Sequence, residues 1–333
     1  MNKPLSIGII GAANIAKKAI IEPAQKLENI EVFGVAARDK LNAEKFAQDY
    51  QIKTVFPDYD TLIESDKIDA VYIPLANHLH TPWVIKSIQA KKPVLVEKPL
   101  CLNLEEFDEI EKSVQENDIP LLEAIMVQHH PWQQKLKEIL DTKNYGKLKA
   151  IKTNLTLDFK EENNSENYRF SPEKGGGAFF DLGTYWIQLV QICLGLQPET
   201  ISAQCEFNRL NGIDLNFCAR LNFPQDILTE FYCSFEHPFE AHHSIELEKV
   251  NINIKNFFRP NFGQSMRLEI CHLETQQIEK IKFPAQNYYV NQLNFFAEVI
   301  AGTVKNIPLI QSRERVKIMA EIYNLAEKKY RQA

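Results

Sequence analysis

The feature that most constrains the fold is a change, along the chain, in the pattern of apolar and polar residues. Up to about residue 124, short apolar segments such as Leu5–Ile10 alternate with amphipathic segments such as Asn42–Tyr50. Apolar runs separated by helical patterns of roughly 10 to 15 residues are typical of βαβ units, which place their strands in a parallel sheet. The sequence therefore predicts a doubly wound α/β domain over residues 1–124.

Residues 125–333 follow a different pattern. In Lys149–Phe159, apolar and polar side chains alternate, which indicates a strand with one buried face. Further strand-like segments cover about 200–207, 214–223, 227–236, 244–254, 266–271 and 278–283. Consecutive strands with short connections form antiparallel sheets, which can leave one face uncovered. We expect an α+β domain with a large, mostly antiparallel, open-faced sheet, and helices after Gly175 and over Tyr288–Ala301 and Ser312–Lys329.

Bulk properties narrow the possible partners. A formal net charge of -6 argues against a general nucleic-acid binder. The first residues lack a signal-peptide pattern and no apolar run of about 18 residues occurs, so we expect a cytoplasmic protein without membrane contact.

The six cysteines are irregularly spaced and are expected to be reduced thiols. An open sheet face predicts a homodimer or a higher homo-oligomer formed through the C-terminal sheet.

The first predicted strand leads into a glycine-containing turn. The spacing G-x-G-x-x-G/A occurs here with Gly11, Ala13 and Ala16 in the three positions. Such a turn directs the N-terminus of the next helix, here near Asn14 and Ile15, at a pyrophosphate. The middle position is normally glycine, so Ala13 adds a methyl group near the phosphates. We interpret the segment as the dinucleotide-binding turn of a Rossmann fold; the alternative is an ordinary strand–helix turn.

The end of the second predicted strand, Glu31–Ala37, indicates which dinucleotide binds. An NAD enzyme has an acidic residue there that bonds the ribose 2′-hydroxyl. This chain has Ala36-Ala37-Arg38-Asp39, in which Arg38 follows the vacant acidic position. A guanidinium suits a 2′-phosphate through charge-assisted hydrogen bonds. The sequence favours NADP, and NAD stays possible if Arg38 faces solvent and Asp39 reaches the ribose.

Four segments together resemble a known family. The sequence is similar to the glucose-fructose oxidoreductase/inositol dehydrogenase/rhizopine-catabolism (Gfo/Idh/MocA) oxidoreductases, and the match covers residues from about 5 to 195. The segments that carry the resemblance are Gly11–Ala16, Asn77–His80, Glu97-Lys98-Pro99 and Gly175–Tyr185. The tyrosine at position 185, where many members have histidine, resembles the branch of dimeric dihydrodiol dehydrogenase, glucose-fructose oxidoreductase and NADP-dependent xylose dehydrogenase.

The resemblance implies roles for residues at the carboxyl edge of the predicted parallel sheet. It implies that Asn77, His80 and Glu97 lie beside the cofactor, and that Lys98 reaches the nicotinamide ribose and the reacting oxygen. An ammonium group there stabilises an alkoxide-like oxygen and favours ionisation of a neighbouring acid. The alternative for Lys98 is an ordinary surface lysine after a strand.

The resemblance also implies catalytic roles for Asp181 and Tyr185. The two residues are four apart in a helical segment, so they lie on one helix face. A phenol ordinarily titrates near pH 10, and Lys98 together with the oxidised nicotinamide would favour the phenolate. Tyr185 is then expected to exchange the hydroxyl proton as hydride leaves, and Asp181 to bond another substrate hydroxyl. The alternative for Tyr185 is a core aromatic.

Two further residues are expected on the substrate side. Related enzymes often have arginine near Gln128, and Arg169 lies just before the glycine turn. The histidine pairs of the chain lack acidic or cysteine partners at a metal-site spacing, so no metal is expected.

The sequence thus predicts reversible oxidation of a hydroxyl on a sugar-like or cyclic diol substrate, with NADP accepting the hydride. One alternative is a non-catalytic sensor that binds dinucleotide. Another is a dehydratase or glycosidase that returns the hydride within each cycle. Retention of Lys98, Asp181 and Tyr185 favours the dehydrogenase.

Overall fold

Two sheets organise the part of the chain that the structure, a computed structural model, describes: residues 3–159, 167–208 and 211–332. The strands are β1 (Leu5–Ile10), β2 (Ile30–Ala36), β3 (Thr54–Val55), β4 (Ala70–Ile73), β5 (Val94–Glu97), β6 (Leu121–Ala124), β7 (Leu148–Asp158), β8 (Thr200–Phe207), β9 (Asp214–Phe223), β10 (Ile227–Ser234), β11 (Glu236–Leu247), β12 (Val250–Lys255), β13 (Met266–His272) and β14 (Ile278–Phe283). The helices are α1 (Glu22–Ala24, preceded by a π-helix over Lys17–Ile21), α2 (Lys40–Tyr50), α3 (Tyr59–Glu64), α4 (His80–Gln89), α5 (Leu104–Asn117), α6 (Pro131–Thr142), α7 (Ala178–Leu194), α8 (Tyr288–Ile300) and α9 (Leu309–Gln332).

The chain divides into two compact units. The first contains residues up to 129 together with 287–313, and the second contains 130–286 together with 314–333. The predicted domains, 1–124 and 125–333, stay a prediction. The compact units differ from them because α8 and the start of α9 return to the first unit.

The first unit is built on a parallel sheet with the strand order β3-β2-β1-β4-β5-β6. Its central strands β1, β4 and β5 are buried almost throughout, as expected for a sheet covered on both faces. Chain order reverses between β1 and β4, and ligands of such sheets bind outside the carboxyl ends of the strands at that switch point. This edge carries the residues after β1, β4 and β5.

The second unit is built on a sheet with the order β14-β13-β12-β11-β7-β10-β9-β8, in which β7 and β10 are parallel and the other neighbours antiparallel. Helix α7 covers one face, where Trp186 stacks on Phe231 with 5.0 Å between ring centroids. The other face carries charged residues, including Lys152, whose ammonium lies 2.7 Å from Glu246. The predicted combination of a doubly wound sheet and a mostly antiparallel sheet is confirmed.

Local predictions fail where the sequence pattern is short or changes phase. The predicted strand 244–254 is wrong, because β11 ends at Leu247 and β12 begins at Val250. Buried residues alternate up to Leu247 and again from Val250, so the phase shift marks a tight turn. No element was predicted from the sequence for the segments of the short elements β3 and α3 and of helix α6. Among the described residues, no helix combines the length and apolarity needed to cross a bilayer.

Candidate active site

The turn after β1 has the geometry expected of a phosphate-binding turn. Gly11 adopts a φ of +113°, and its N–H donates to the carbonyl oxygen of Ala36 at 2.8 Å. Ala13 is half-buried, whereas Asn14 and Ile15 are exposed where the helical segment starts. No side chain caps the π-helix at Ala16. Helix N–H groups without a side-chain cap, at the switch point of the sheet, suit an anionic group such as a pyrophosphate.

We expect Gly11→Ala to lower the free energy of unfolding by about 1–3 kcal/mol, because an L-residue is strained at this φ. A Cβ atom there would also lie 2.6 Å from Leu75 Cδ2. Relaxation of the turn should weaken dinucleotide binding as well, which a fluorescence titration measures. Gly302→Ala is the matched control, since Gly302 has a φ of +70° with nothing within 4 Å. Equal dinucleotide affinity in the two variants would contradict a special role for Gly11.

Arg38 and Asp39 follow β2 at the same edge. Arg38 is exposed. Asp39 is the N-cap of α2, and its Oδ1 accepts a hydrogen bond from the Leu41 N–H at 2.9 Å. Because the carboxylate already serves the helix, the structure favours Arg38 over Asp39 as the residue available to a ribose substituent.

The loop that carries Lys98 is held by hydrogen bonds on both sides. Before it, the Tyr72 hydroxyl donates to Glu97 Oε1 at 2.6 Å. After it, the Leu100 N–H donates to Glu123 Oε1 at 3.1 Å, and the Lys98–Pro99 peptide bond is cis. Lys98 itself is half-buried. The hydrogen bonds from Tyr72 and to Glu123 hold the loop, so the Lys98 side chain starts from a preorganised backbone.

His80 is fully buried behind the same loop. Its Nδ1 lies 2.8 Å from the carbonyl oxygen of Pro99, and its Nε2 lies 3.0 Å from that of Leu75. Burial lowers the pKa of the imidazole. His80 therefore ties the residue after Lys98 to the segment after β4, while its contact with a cofactor stays a prediction. Asn77, predicted beside the cofactor too, is buried at the start of that segment.

In the second unit, the first turns of α7 bring three predicted site residues together. Asp181 is buried, and its carboxylate binds the Arg169 guanidinium at two points, Nε to Oδ2 at 2.9 Å and Nη2 to Oδ1 at 3.3 Å. Burial opposes the charge on Arg169, but Asp181, with smaller contributions from Tyr168 and Tyr185, raises its pKa. The guanidinium is therefore a permanent cation in the electrostatic environment of Tyr185.

Tyr185 lies one turn after Asp181 on the same face of α7. Its side chain is 7% exposed. The ring packs edge-on against Phe258, with 4.9 Å between centroids, and lies 6.4 Å from that of Phe257. Packing on one side and a guanidinium nearby restrict the phenol to a small set of orientations.

Comparison with known proteins places the chain in a family. The family model described as "Oxidoreductase family, NAD-binding Rossmann fold" (Gfo/Idh/MocA) matches residues 5–125, and the corresponding C-terminal domain model matches residues 133–249. An uncharacterized oxidoreductase of Rhizobium meliloti is 30% identical over 96% of each chain. The chain belongs to the Gfo/Idh/MocA oxidoreductases. The family and the oxidoreductase class predicted from the sequence are confirmed.

Named relatives of this Gfo/Idh/MocA protein act on sugars and diols. D-xylose 1-dehydrogenase (NADP(+)) 2 of Haloferax volcanii is 25% identical and covers 96% of this chain and 95% of its own. Trans-1,2-dihydrobenzene-1,2-diol dehydrogenase of Mus musculus is 29% identical over 68% of this chain and 67% of its own. A 3-ketoreductase from Actinomadura kijaniata, solved with NADP and TDP-benzene, has the same fold, with a TM-score of 0.88, 23% identity and coverage of 97% and 98%. Its solved forms include a tyrosine-to-phenylalanine and a lysine-to-alanine variant.

The remaining predicted site residue is Gln128. It lies half-buried in a short 3-10 helix, Met126–His129, and its Nε2 is 3.5 Å from His129 Nε2. Within the described ranges, no group of three or more His, Cys, Asp or Glu side chains is arranged to hold a metal ion.

The sequence prediction missed the residues that support the Lys98 loop. Tyr72 lies in β4 and Glu123 in β6, where they are polar exceptions in fully buried strands. A buried polar group requires a hydrogen-bond partner. That rule could have identified them as supporting residues, but not their partners.

Proposed function

We propose that this Gfo/Idh/MocA protein is an NADP-dependent dehydrogenase of sugar-like or cyclic diol hydroxyl groups. The observation that carries the proposal is the cluster on α7, in which Tyr185 and Asp181 share one helix face beside the Arg169 guanidinium. A sensor that only binds dinucleotide has no need of a buried phenol next to a paired acid and cation. A proton-transfer site uses the phenol as its acid–base group and the neighbouring ion pair to orient the substrate and favour the ionised phenol.

The proposed reaction separates a hydride and a proton. A dinucleotide held by the turn at Gly11 and by Arg38 would supply the hydride acceptor as NADP⁺ in oxidation and the hydride donor as NADPH in reduction. The Tyr185 phenolate takes the hydroxyl proton as the C–H electron pair leaves the same carbon, which becomes a carbonyl group, and the phenol returns the proton in reduction. Arg169 favours the anionic form of a neighbouring phenol, and Lys98 stabilises negative charge on the reacting oxygen.

Asp181 is proposed to orient the substrate as one half of an ion pair. The bidentate contact with Arg169 fixes the plane of its carboxylate. A carboxylate held in one orientation can bond a substrate hydroxyl without losing further side-chain freedom. We propose Arg169 and Gln128 as substrate-side residues, consistent with a polyol that offers several hydroxyl groups.

The proposed cofactor preference has a direct test at Arg38. We expect Arg38→Ala to weaken NADP binding on the order of 10–100-fold, because a charge-assisted bond to the 2′-phosphate is lost. NAD binding should change little, since NAD lacks that phosphate. Titration of each variant with both dinucleotides measures the ratio, with Lys40→Ala as a control for loss of a nearby exposed charge. Equal weakening for NADP and NAD would remove Arg38 as the phosphate-binding residue.

The proposed function is tested by a substrate screen. The purified protein is mixed with NADP and with aldoses, inositols or cyclic diols, and NADPH is followed by its absorbance. Net NADPH formation with a free sugar or diol supports the proposal. Substrate conversion without net NADPH would indicate a cofactor-recycling enzyme, and dinucleotide binding without any conversion would indicate a sensor. Either result would overturn the proposal.

We also propose that the protein forms a homodimer through the charged face of the second sheet. Reversing one charge of the Lys152–Glu246 pair on that face should weaken the dimer, which sedimentation velocity measures. A monomeric wild-type protein would contradict this proposal.

A further inference from the structure

A buried carboxylate lies at the start of the helix that carries Tyr185. Asp214, the first residue of β9, has no exposed surface. Its Oδ2 accepts a hydrogen bond from the Phe179 N–H, in the first turn of α7, at 2.7 Å. The first N–H groups of a helix have no partner inside the helix, and the helix dipole makes this end favourable for an anion. Asp214 therefore supplies from β9 the cap that the N-terminal residue of α7 lacks.

Gly177 allows the carboxylate to come this close. The N-cap of α7 is this glycine, with a φ of +107° and no side-chain cap. A Cβ atom at Gly177 would overlap Asp214 Oδ1, since the two would be only 1.9 Å apart. The third glycine of the Gly175-Gly176-Gly177 segment is thus required by the carboxylate on β9, as well as by its own backbone conformation.

The same carboxylate reaches a third element. Tyr323 of α9 lies near Asp214, because burial and then the Asp214 charge raise the pKa of the Tyr323 phenol. Its ring is stacked near Phe217 of β9, with 6.1 Å between centroids. The ring of Phe180, in the first turn of α7, lies 4.8 Å from that of Tyr323. Asp214 therefore links β9 to the beginning of α7, and the Tyr323 ring of the C-terminal helix packs beside both elements.

We propose that Asp214 is a positioning residue for the reaction, which holds the first turn of α7 and thereby fixes where Asp181 and Tyr185 stand. The inference rests on the proposed function for its catalytic consequence, although its structural part does not. Asp181 lies two residues beyond the anchored Phe179, and Tyr185 one turn later. A shift at the anchored end therefore displaces both groups relative to a substrate.

Because Asp214 can ionise, its hold on the first turn of α7 is expected to depend on pH. Burial raises its pKa to about 7, although the N–H groups of Phe179 and Ala178 act in the opposite direction. Among the described residues, the titratable groups that interact with Asp214 include Cys205 on β8, Cys233 on β10 and Tyr323 on α9. Glu327 on α9 in turn acts on Cys205 and Tyr323. Burial raises the pKa of Cys205 to about 12, and that of Cys233 well above its usual value, so both thiols stay neutral near pH 7.

The sign of the effect differs between catalysis and stability. As pH rises through about 7, Asp214 ionises and accepts stronger hydrogen bonds from α7. Catalysis is therefore expected to improve. The pKa of Asp214 in the folded protein lies above its value of about 3.9 in the unfolded chain. The folded state therefore binds this proton more tightly, and the resulting stability is fully present below about pH 3.9 and is lost as pH rises to about 7. Asp214→Asn has no ionisable group at this position, so the variant should lose this pH dependence of both kcat and stability.

The experiment compares Asp214→Asn and Asp214→Ala with Thr229→Val. Thr229 is a fully buried residue of the neighbouring strand β10 whose hydroxyl has no hydrogen-bond partner, so its replacement controls for a polar change inside the unit. We expect kcat to fall about 10-fold in Asp214→Asn and about 10²-fold in Asp214→Ala, as for a small displacement of reacting groups. The affinity for NADP should not change, and the limb near pH 7 in the kcat profile should be absent from Asp214→Asn.

Wild-type kcat and an unchanged pH profile in Asp214→Asn would overturn the proposal. If the wild-type protein turns over no substrate, the proposed function fails, but the anchoring of α7 can still be judged by amide hydrogen exchange. Faster exchange over residues 178–181 in the folded Asn variant, with Thr229→Val unchanged, would support the anchor. Equal amide exchange over these residues in the wild-type, Asp214→Asn and Thr229→Val proteins would overturn the anchor.

Discussion

Replacing Tyr185 by phenylalanine is expected to lower kcat by about 10²–10⁴-fold, the usual contribution of a positioned acid–base group. Phenylalanine keeps the ring that packs edge-on against Phe258, so the variant should fold normally. NADP binding should also persist. Rapid-mixing measurements of NADPH formation would show the loss in the chemical step.

Tyr232→Phe is the matched control for this experiment. Tyr232 lies in the same unit, and its hydroxyl donates to Asn216 Oδ1 at 3.2 Å. The substitution removes a phenolic hydroxyl from β10 and leaves the residues of α7 unchanged, so kcat should be unchanged. If the Tyr185 and Tyr232 variants were equally active, proton transfer would have to be assigned to another group.

Replacing Lys98 by methionine is expected to lower kcat by about 10²–10³-fold, comparable to the loss of one preorganised electrostatic contact at a reacting oxygen. Methionine retains an unbranched apolar side chain on the loop held by Glu97 and Glu123, so the loop should keep its conformation. The pH profile of kcat should also shift to higher pH, because the ammonium no longer favours the ionised form of a neighbouring acid.

Lys112→Met provides the comparison for Lys98→Met. Lys112 is exposed on α5, and its ammonium is 3.9 Å from Glu116. The two variants lose the same charge from the same unit, so a general effect of net charge would lower both rates. A normal rate and pH profile for Lys98→Met would contradict the assigned role of Lys98.

The order of the elements could be predicted because the chain repeats clear patterns. The continuous apolar run Leu5–Ile10 identified β1, and the alternation over Lys149–Phe159 identified β7. The turn between β11 and β12 was missed, although the phase shift between Leu247 and Val250 is visible in the sequence. Short elements such as β3 contain too few residues to establish a period.

The residues of the candidate site were accessible from the sequence, but their partners were not. Asp181 and Tyr185 could be placed on one face because helix geometry relates positions four apart. The contact of Asp181 with Arg169, twelve residues earlier, depends on how the 3-10 turn Tyr168–Phe170 folds back. Asp214 lies 35 residues from Phe179, and nothing in its local sequence distinguishes it from an ordinary strand residue.

Transfer of deuterium from substrate carbon to cofactor tests the central claim most directly. The purified protein is incubated with NADP and a carbon-deuterated sugar or diol that the screen identifies, and the NADPH is analysed by mass spectrometry. Direct hydride transfer predicts NADPH that carries a single deuterium on the nicotinamide ring. Unlabelled NADPH, or no NADPH from folded protein that binds NADP and the substrate, would contradict it.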